Sequence, residues 1–221
     1  MAKSTTPAKA ARAGNGTRSP RPRNREQTIK DILDAAEALL DSKGPDGFGL
    51  AELGREAGIS FGLIHHYFGG KEGLLRAVLQ RTMREMGREI RRIQDGGHFW
   101  DPDAPAVRVV FDTFARKPGL ARLLAWGLLT GLLSVEEYSH EPDRVALDAM
   151  IDKFREGMPG ATRSDAAATT TLLMSAVLGF NLLRPLLART SGWTSRTDTI
   201  LRDQLVRAMG ALARPRGPAS S

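Results

Sequence analysis

Apolar residues recur every three or four positions through most of the chain, which is the period of an amphipathic helix. No segment keeps the two-residue alternation of a half-buried strand, so we expect an all-α fold. Besides two short helices between residues 51 and 68, the pattern and its glycine and proline breaks predict helices over residues 24–42, 71–93, 104–116, 118–134, 142–156, 164–189 and 195–212. At the start of the last helix, Ser195 and Asp198 have the spacing of a capping box.

Two of the longer predicted helices have unusual surfaces. Residues 172–187 are apolar on nearly every side, which indicates burial on more than one side, in the core or at a subunit interface. The helix over residues 71–93 carries arginines opposite its apolar stripe. We interpret this basic face as solvated. The helix advances about 1.5 Å per residue, so most of its arginines lie far from residues 51–71.

The stretch from Ala51 to Lys71 reads AELGREAGISFGLIHHYFGGK. Gly58 lies where a tight turn between two helices needs the left-handed backbone that glycine adopts without strain. Ser60 is placed to accept a hydrogen bond from the first turn of the next helix. The stretch is therefore typical of a helix-turn-helix.

The second short helix carries more aromatic and imidazole groups than its own packing needs. Ile64 and Phe68 stand one turn apart and are expected to face inward, which leaves a second set to face outward: Phe61, Gly62, His65, His66 and Tyr67. A unit this small buries little apolar surface. Large groups on its outer side favour a helix that enters the DNA major groove.

The positive charge is confined to the start of the chain. Residues 1–25 contain seven basic side chains and no acidic one, whereas the remainder has 25 of each, so the net charge of +7 belongs to this segment. Residues 1–23 lack large apolar side chains, and we expect a disordered basic arm there and a flexible tail at residues 214–221. The arm either adds phosphate contacts on DNA or is only a solubilising leader, and the sequence leaves both alternatives open.

Residues with catalytic or metal-binding chemistry do not form a recognisable constellation. Cysteine is absent, which excludes disulfides and thiolate metal sites. His65 and His66 are adjacent, so on a helix they diverge by about 100° and cannot bind one metal ion together. GxSxG and Walker-type loops are also missing. We expect no enzyme activity, no metal and no cofactor.

The apolar runs at residues 123–135 and 172–187 are shorter than the roughly 18 residues of a membrane-spanning helix. No apolar stretch follows the positive charge at the start of the chain, as it would in a signal peptide. We therefore expect a cytoplasmic protein that does not contact a membrane.

The segment from Ile29 to Leu75 resembles the TetR family of bacterial transcriptional regulators. It contains ILDAAEALLDSKG and then LAELGREAGISFGLIHHYFGGKEGLL, and it agrees with the family in order, spacing and apolar positions. The resemblance implies an N-terminal three-helix DNA-binding domain at residues 24–71. It also implies a helical effector-binding and dimerisation domain at residues 72–213, with the homodimer formed through about residues 164–212.

Carried over position by position, the resemblance places the start of the second short helix near base edges and Lys71 against the DNA backbone. His65 stands where the family usually has a tyrosine that contacts phosphate. The DNA-binding residues that we expect are Ser60, Phe61, Gly62, His65, His66, Tyr67 and Lys71. Gly49 replaces the usual capping threonine and Gly54 the customary alanine, and the second change weakens helix propensity by about 1 kcal/mol.

The resemblance implies a regulator of transcription, and we expect a repressor that a small apolar effector releases from a palindromic operator. Large side chains of the middle helices are the candidates for the effector pocket: Phe111, Phe114, Trp126, Met150, Phe154 and Met174. For any one of them, ordinary core packing is the favoured interpretation. The alternative function is a helical dimer that binds an apolar ligand or a protein partner without operator DNA.

Overall fold

The computed structural model describes residues 25–98, 105–133, 148, 151–156, 160–190 and 192–213, and every regular element within these ranges is a helix. The all-α prediction is therefore confirmed. The predicted arm at residues 1–23 and tail at residues 214–221 lie outside these ranges. The helices are α1 (Arg25–Lys43), α2 (Leu50–Ala57), α3 (Phe61–Phe68), α4 (Lys71–Asp95), α5 (Pro105–Arg116), α6 (Pro118–Thr130), α7 (Arg163–Thr190) and α8 (Ser195–Ala213). Residues 151–156 form a further helical segment.

Glycine in a left-handed backbone ends both α1 and α6. Gly44, with φ of 77°, stops α1 where the sequence predicts, and its N–H donates to the carbonyl of Leu40 at 2.9 Å. Gly131, with φ of 73°, ends α6 at Thr130. The predicted end at residue 134 was wrong, because the apolar pattern continues past the residue that breaks the helix.

Hydroxyl groups cap the two last helices. Thr162 and Asp165 form a reciprocal capping box before α7, with N–H to oxygen distances of 2.8 and 3.2 Å. The hydroxyl and the N–H of Thr162 hold the pKa of Asp165 below its usual value. Before α8, the Thr194 hydroxyl accepts from the N–H of Thr197 at 3.2 Å. The predicted capping box was therefore wrong by one residue, since Ser195 is already inside the helix.

The first three helices and the start of α4 enclose one end of the hydrophobic core. Side chains at their centre are completely buried: Ile32, Ala36, Leu53, Ile64, Leu74 and Leu75. Phe48, in the loop between α1 and α2, is also buried. Helices α2 and α3 both pack on this core, and this packing holds α3 in its orientation relative to α2.

The basic face of α4 is only partly the solvated surface that we expected. Arg81, whose side chain is 18% exposed, bonds Asp34 and Glu37 of α1 at 2.7 Å each. Arg76 donates to the carbonyl of Leu132 at 3.1 Å. The prediction was wrong for these two arginines, which join α4 to other parts of the fold. Arg84, Arg88, Arg91 and Arg92 are exposed.

Helix α6 crosses the end of α1 at very short range. The N–H of Gly119 donates to Asp41 at 2.7 Å, and the Arg122 guanidinium donates to the carbonyls of Leu40 and Asp41 at 3.0 and 2.6 Å. A Cβ atom on Gly119 would lie 2.6 Å from the backbone of Leu40, so only glycine fits here. Burial raises the pKa of Asp41, against the opposing effect of the Gly119 N–H.

Helix α7 buries one face and leaves another open. Its buried residues, Ala166, Thr170, Leu173 and Val177, follow one another at helical spacing. Leu172, Leu183, Leu186 and Leu187 are exposed. Within the single chain α7 is therefore buried along one face, and not on more than one side as we expected. By length and composition α7 could also cross a membrane, a test that core helices of soluble proteins pass as well.

Candidate nucleic-acid interface

The turn between α2 and α3 has the predicted geometry. Gly58 adopts φ of 62° and ψ of 39°, which is the left-handed conformation, and its N–H bonds back to the end of α2. The N–H of Ile59 donates to the carbonyl of Gly54 at 2.9 Å. Ser60 accepts a hydrogen bond from the N–H of Leu63 at 3.3 Å and so caps α3. These local contacts define where α3 begins and how it leaves the turn.

Gly54 has a structural role that the sequence did not reveal. A Cβ atom at this position would lie 2.7 Å from the carbonyl oxygen of Ile59, closer than side-chain carbons approach an oxygen. The absent side chain permits the close return of the chain after α2. Glycine at position 54 therefore lowers the helix propensity of α2 but allows a tighter turn after it.

The outer face of α3 carries the side chains that the sequence places there. Phe61 is 54% exposed, and its ring centroid lies 6.1 Å from that of His65. His66 is exposed, and a Cβ atom on Gly62 would meet nothing within 4 Å. Ile64, on the opposite side of the helix, is completely buried. An open surface of two imidazoles and one aromatic ring therefore faces away from the core.

Tyr67 lies at the edge of this surface. It is half-buried and packs against the core, while its ring centroid stands 5.3 Å from that of His66. The guanidinium of Arg25, the first residue of α1, lies 5.9 Å from the Tyr67 ring. This distance is within the range of a cation–π contact. The start of α1 is thus adjacent to the end of α3.

Lys71, which the sequence places against the DNA backbone, contacts the loop before α2. Its ammonium donates to the carbonyl of Phe48 at 2.7 Å and lies 5.0 Å from the centroid of that ring. An ammonium has three N–H groups, so this bond leaves donors for a phosphate. Gly70 and Gly49, which precede α4 and α2, provide no side-chain cap. The first N–H groups of both helices therefore suit a phosphate oxygen.

Among the candidate effector residues that the structure describes, two border one small cavity. Phe111, Phe114 and Phe154 are buried, and Trp126 and Met174 are half-buried, while Met150 lies outside the described residues. Phe154 and Met174 border an apolar cavity of about 20 Å³ beneath α5 and α7. This is room for about one water molecule. Phe111 packs on Phe180, at 5.1 Å between ring centroids, and Phe180 stacks on Trp193.

A larger groove of about 500 Å³ lies between α4 and α5. None of the five candidate residues that the structure describes lines it. Its walls combine apolar side chains such as Met86 and Val109 with the charged groups of Glu89, Arg108 and Lys117. Sequence reasoning missed this groove because it searched for large apolar side chains, whereas half of the residues that line the groove are charged.

Residues 32–78 match the model for bacterial regulatory proteins of the tetR family. This segment of the chain is similar to the TetR family. The matched segment covers α2 and α3 completely, together with most of α1 and the first turns of α4. The interface described above is thus the part of the chain that the family model recognises.

Two curated relatives of this chain are described as HTH-type transcriptional regulators. The HTH-type transcriptional regulator BetI of Brucella canis is 38% identical over 61 residues, which are 28% of this chain and 31% of that protein. The match thus spans less than a third of the length of this relative. BetI of Burkholderia thailandensis is 26% identical over 161 residues, 69% of this chain and 80% of that protein.

The fold extends the similarity beyond the helix-turn-helix. A TetR-family transcriptional regulator from Pectobacterium atrosepticum superposes with a TM-score of 0.58 and 21% identity, over 86% of this chain and 95% of the other. At this identity the similarity concerns the fold alone. The helices after α4 are therefore arranged as in that TetR-family protein.

Proposed function

We propose that this chain is a DNA-binding transcriptional regulator that acts as a homodimer and represses by occupying a palindromic operator. The outer face of α3 carries the proposal. It exposes Phe61, His65 and His66 beside the bare backbone of Gly62, on a helix whose inner residue Ile64 is fully buried. A rigid helix with such a face suits readout of base edges in the major groove.

Phosphate contacts would hold α3 in the groove. The uncapped first turns of α2 and α4 offer backbone N–H groups, and Lys71 adds a positive charge at the start of α4. Ser60 is already engaged as the cap of α3. Its side chain therefore positions the helix, and its neighbours Phe61 and Gly62 approach the bases.

The open apolar face of α7 and α8 supports a homodimer. Leu172, Leu183, Leu186 and Leu187 of α7 and Ile200 of α8 are exposed in the single chain. A second copy that covers these faces would remove apolar surface from water. Two-fold symmetry would then present two α3 helices to half-sites about 34 Å apart, one turn of DNA.

Release by a small apolar effector would act through the contact between α6 and α1. Lys117, at the start of α6, bonds Glu37 of α1 at 3.1 Å and lies 3.5 Å from Glu85 of α4. Lys117 also lines the groove between α4 and α5. An effector that opens this groove or enlarges the neighbouring apolar cavity would shift α6, and α1 with it. The DNA-binding helices would then lose their spacing.

A regulator of this type works in the cytoplasm, where its operator lies. Repression would be steric, because a dimer bound at a promoter competes with RNA polymerase for the same DNA. The relatives named above are transcriptional regulators, which agrees with this proposal and not with an enzyme.

The test is fluorescence anisotropy with duplex DNA from the intergenic region upstream of the chain's own gene. We expect Phe61→Ala with His65→Ala to weaken specific binding at least about tenfold, since each lost base contact costs about 1–3 kcal/mol. Both side chains are exposed, so the fold should be unaffected. Arg91→Ala is the control, because this exposed residue lies 20 positions along α4 from Lys71, about 30 Å away.

Equal binding by the double variant and the control would contradict the proposal. It would favour the alternative function, a helical dimer that binds an apolar ligand or a protein partner without operator DNA. The exposed apolar face of α7 is the observation that supports this alternative.

A further inference from the structure

The two sides of the groove between α4 and α5 differ in charge. The groove, of about 500 Å³, is lined by three acidic and three basic side chains. Its charged residues from α4, Glu85 and Glu89, are both acidic, whereas Arg108, Arg116 and Lys117 belong to α5 and the residue that follows it. The other six lining residues are apolar or threonine. The groove thus combines an acidic side, a basic side and apolar surface.

Asp112, the acidic residue on the basic side, is engaged with another helix. Its carboxylate pairs with Arg202 of α8 at 3.4 Å. Arg108 also pairs with α8, through Asp203 at 3.3 Å. A guanidinium has five N–H groups, so this single contact leaves donors of Arg108 for the groove. The side formed by α5 therefore keeps its basic character.

Few ion pairs of the described residues cross the groove. Glu89 pairs with Arg92 of its own helix at 2.8 Å. Arg116 is exposed, and no described acidic side chain pairs with it. Lys117 lies 3.5 Å from Glu85, which is a long contact between the two sides. The opposite charges therefore face one groove with little pairing across it.

This lining favours a ligand that carries both charges. A wholly apolar molecule would take water from the charged side chains without replacing its hydrogen bonds. A molecule with one charge would complement one side of the groove and be repelled by the other. The volume of about 500 Å³ is in the range of small-molecule sites. A small zwitterion with an apolar body fits all three kinds of lining residue.

The distance between the two sides narrows the class of zwitterion further. Packed helices lie about 8–10 Å apart, axis to axis, so charges on facing helices are separated by several ångströms. A free amino acid carries both of its charges on one carbon atom. In an extended dipeptide the two termini stand about 7 Å apart, at about 3.3–3.6 Å per residue. A short peptide can therefore reach both sides at once.

We propose that the groove between α4 and α5 binds a short peptide with free termini and apolar side chains. Its ammonium group pairs with Glu85 and Glu89, and its carboxylate pairs with Arg116. The carboxylate also competes with Glu37 of α1 for Lys117, which bonds Glu37 at 3.1 Å. Peptide binding thus loosens α6 from α1 and weakens DNA binding. This regulatory part rests on the proposed function and deepens it, since it gives the effector of this groove a chemical class.

Isothermal titration calorimetry of the full-length chain tests the choice of ligand. The compounds share one apolar body: leucyl-leucine, its N-acetyl derivative, its C-terminal amide and the derivative blocked at both ends. We expect leucyl-leucine to bind at least about tenfold more tightly than each of the others, because each blocked terminus loses a hydrogen bond to a charged group. Equal affinities, or no binding of leucyl-leucine, would overturn the inference.

Two charge-removing variants test the orientation of the peptide. Glu89→Gln should weaken binding of compounds with a free ammonium at least about fivefold and leave the N-acetyl derivative unaffected. Arg116→Gln should do the same to compounds with a free carboxylate and leave the amide unaffected. Arg88→Gln, on α4 but outside the groove lining, is the control, and all three side chains are exposed. A variant that weakens all four compounds equally would contradict this assignment.

Fluorescence anisotropy with the upstream duplex tests the regulatory part. We expect saturating leucyl-leucine to weaken DNA binding at least about fivefold, the lower end of usual coupling between two sites. Peptide binding without a change in DNA affinity would overturn this part, while specific DNA binding upholds the proposed function. If the chain binds no duplex specifically, the proposed function fails, and calorimetry still decides whether the groove binds the peptide.

Discussion

Single residues at the helix-turn-helix act mainly through what they permit the backbone to do. Gly58 supplies the left-handed turn, and Gly54 leaves space for the carbonyl of Ile59. Ser60 caps α3, because its hydroxyl oxygen accepts the N–H of Leu63. The side chains that remain free to contact bases are those of Phe61, His65 and His66. We therefore expect a few residues of α3 to determine which DNA sequence this surface recognises.

Asp34 gives a pH-dependent contribution to stability at the contact between α1 and α4. Partial burial alone would raise its pKa, but hydrogen bonds from Lys30 and Arg81 outweigh burial and lower it from 3.8. A carboxylate with a lowered folded-state pKa stabilises the fold above its unfolded-state value. This stabilisation is lost as the pH falls through the lower, folded-state pKa.

We therefore expect Asp34→Asn to reduce the free energy of unfolding at pH 7 by less than about 1 kcal/mol, because its side chain is 47% exposed and solvent screens the ion pairs. The difference from the parent chain should shrink below about pH 4. Urea denaturation at pH 7 and pH 3 measures it. Asp46→Asn, in the exposed loop after α1, is the control, and a difference that stays constant with pH would contradict the assignment.

At the scale of elements, the contact between α6 and α1 connects the DNA-binding helices to the rest of the protein. The Gly119 N–H, the Arg122 guanidinium and the Lys117 ammonium all bond groups of α1 across this contact. A change in the position of α6 must therefore strain several polar contacts at once. The proposed route from effector to operator depends on this rigidity.

Gly119→Ala should break this close approach, because its Cβ would lie 2.6–2.7 Å from backbone atoms of Leu40 and Asp41. We expect a loss of about 1–3 kcal/mol in the free energy of unfolding. Gly62→Ala in α3 is the matched control, since its Cβ meets nothing within 4 Å and alanine favours a helix by about 1 kcal/mol. Chemical denaturation of both variants measures the difference. Equal stabilities would show that α6 can move away from α1 at little cost.

For the whole molecule, the unpartnered faces of α7 and α8 are the main argument for assembly. Replacing Leu183 and Leu186 with glutamate should convert the proposed dimer to monomer at micromolar concentration, since charges in an apolar interface are poorly compensated. Sedimentation velocity measures the change. Leu129→Glu is the control, because Leu129 is 88% exposed and belongs to α6, outside both of these helices. A double variant that remains dimeric would place the interface elsewhere.

Much of the DNA-binding end was predictable from sequence, because its determinants are local. Helix periodicity, the glycine at the turn and the serine cap act between residues at most four positions apart. The positions of Gly58, Ser60 and Ile64 therefore followed from the sequence, as did the all-α class and the family resemblance. The early end of α6 shows the limit of this reasoning, since a single left-handed glycine overrides a continuing apolar pattern.

By itself the sequence determined which residues form helices, where the helix-turn-helix lies and that the positive charge precedes α1. Only the tertiary structure decided that Arg81 bonds α1, that α6 approaches α1 at Gly119, and that the cavity beside Phe154 and Met174 is small. It also decided which face of α7 is left uncovered. The physical reason is distance along the chain. Helix formation depends on near neighbours, whereas ion pairs, close crossings and cavities depend on residues that folding alone brings together.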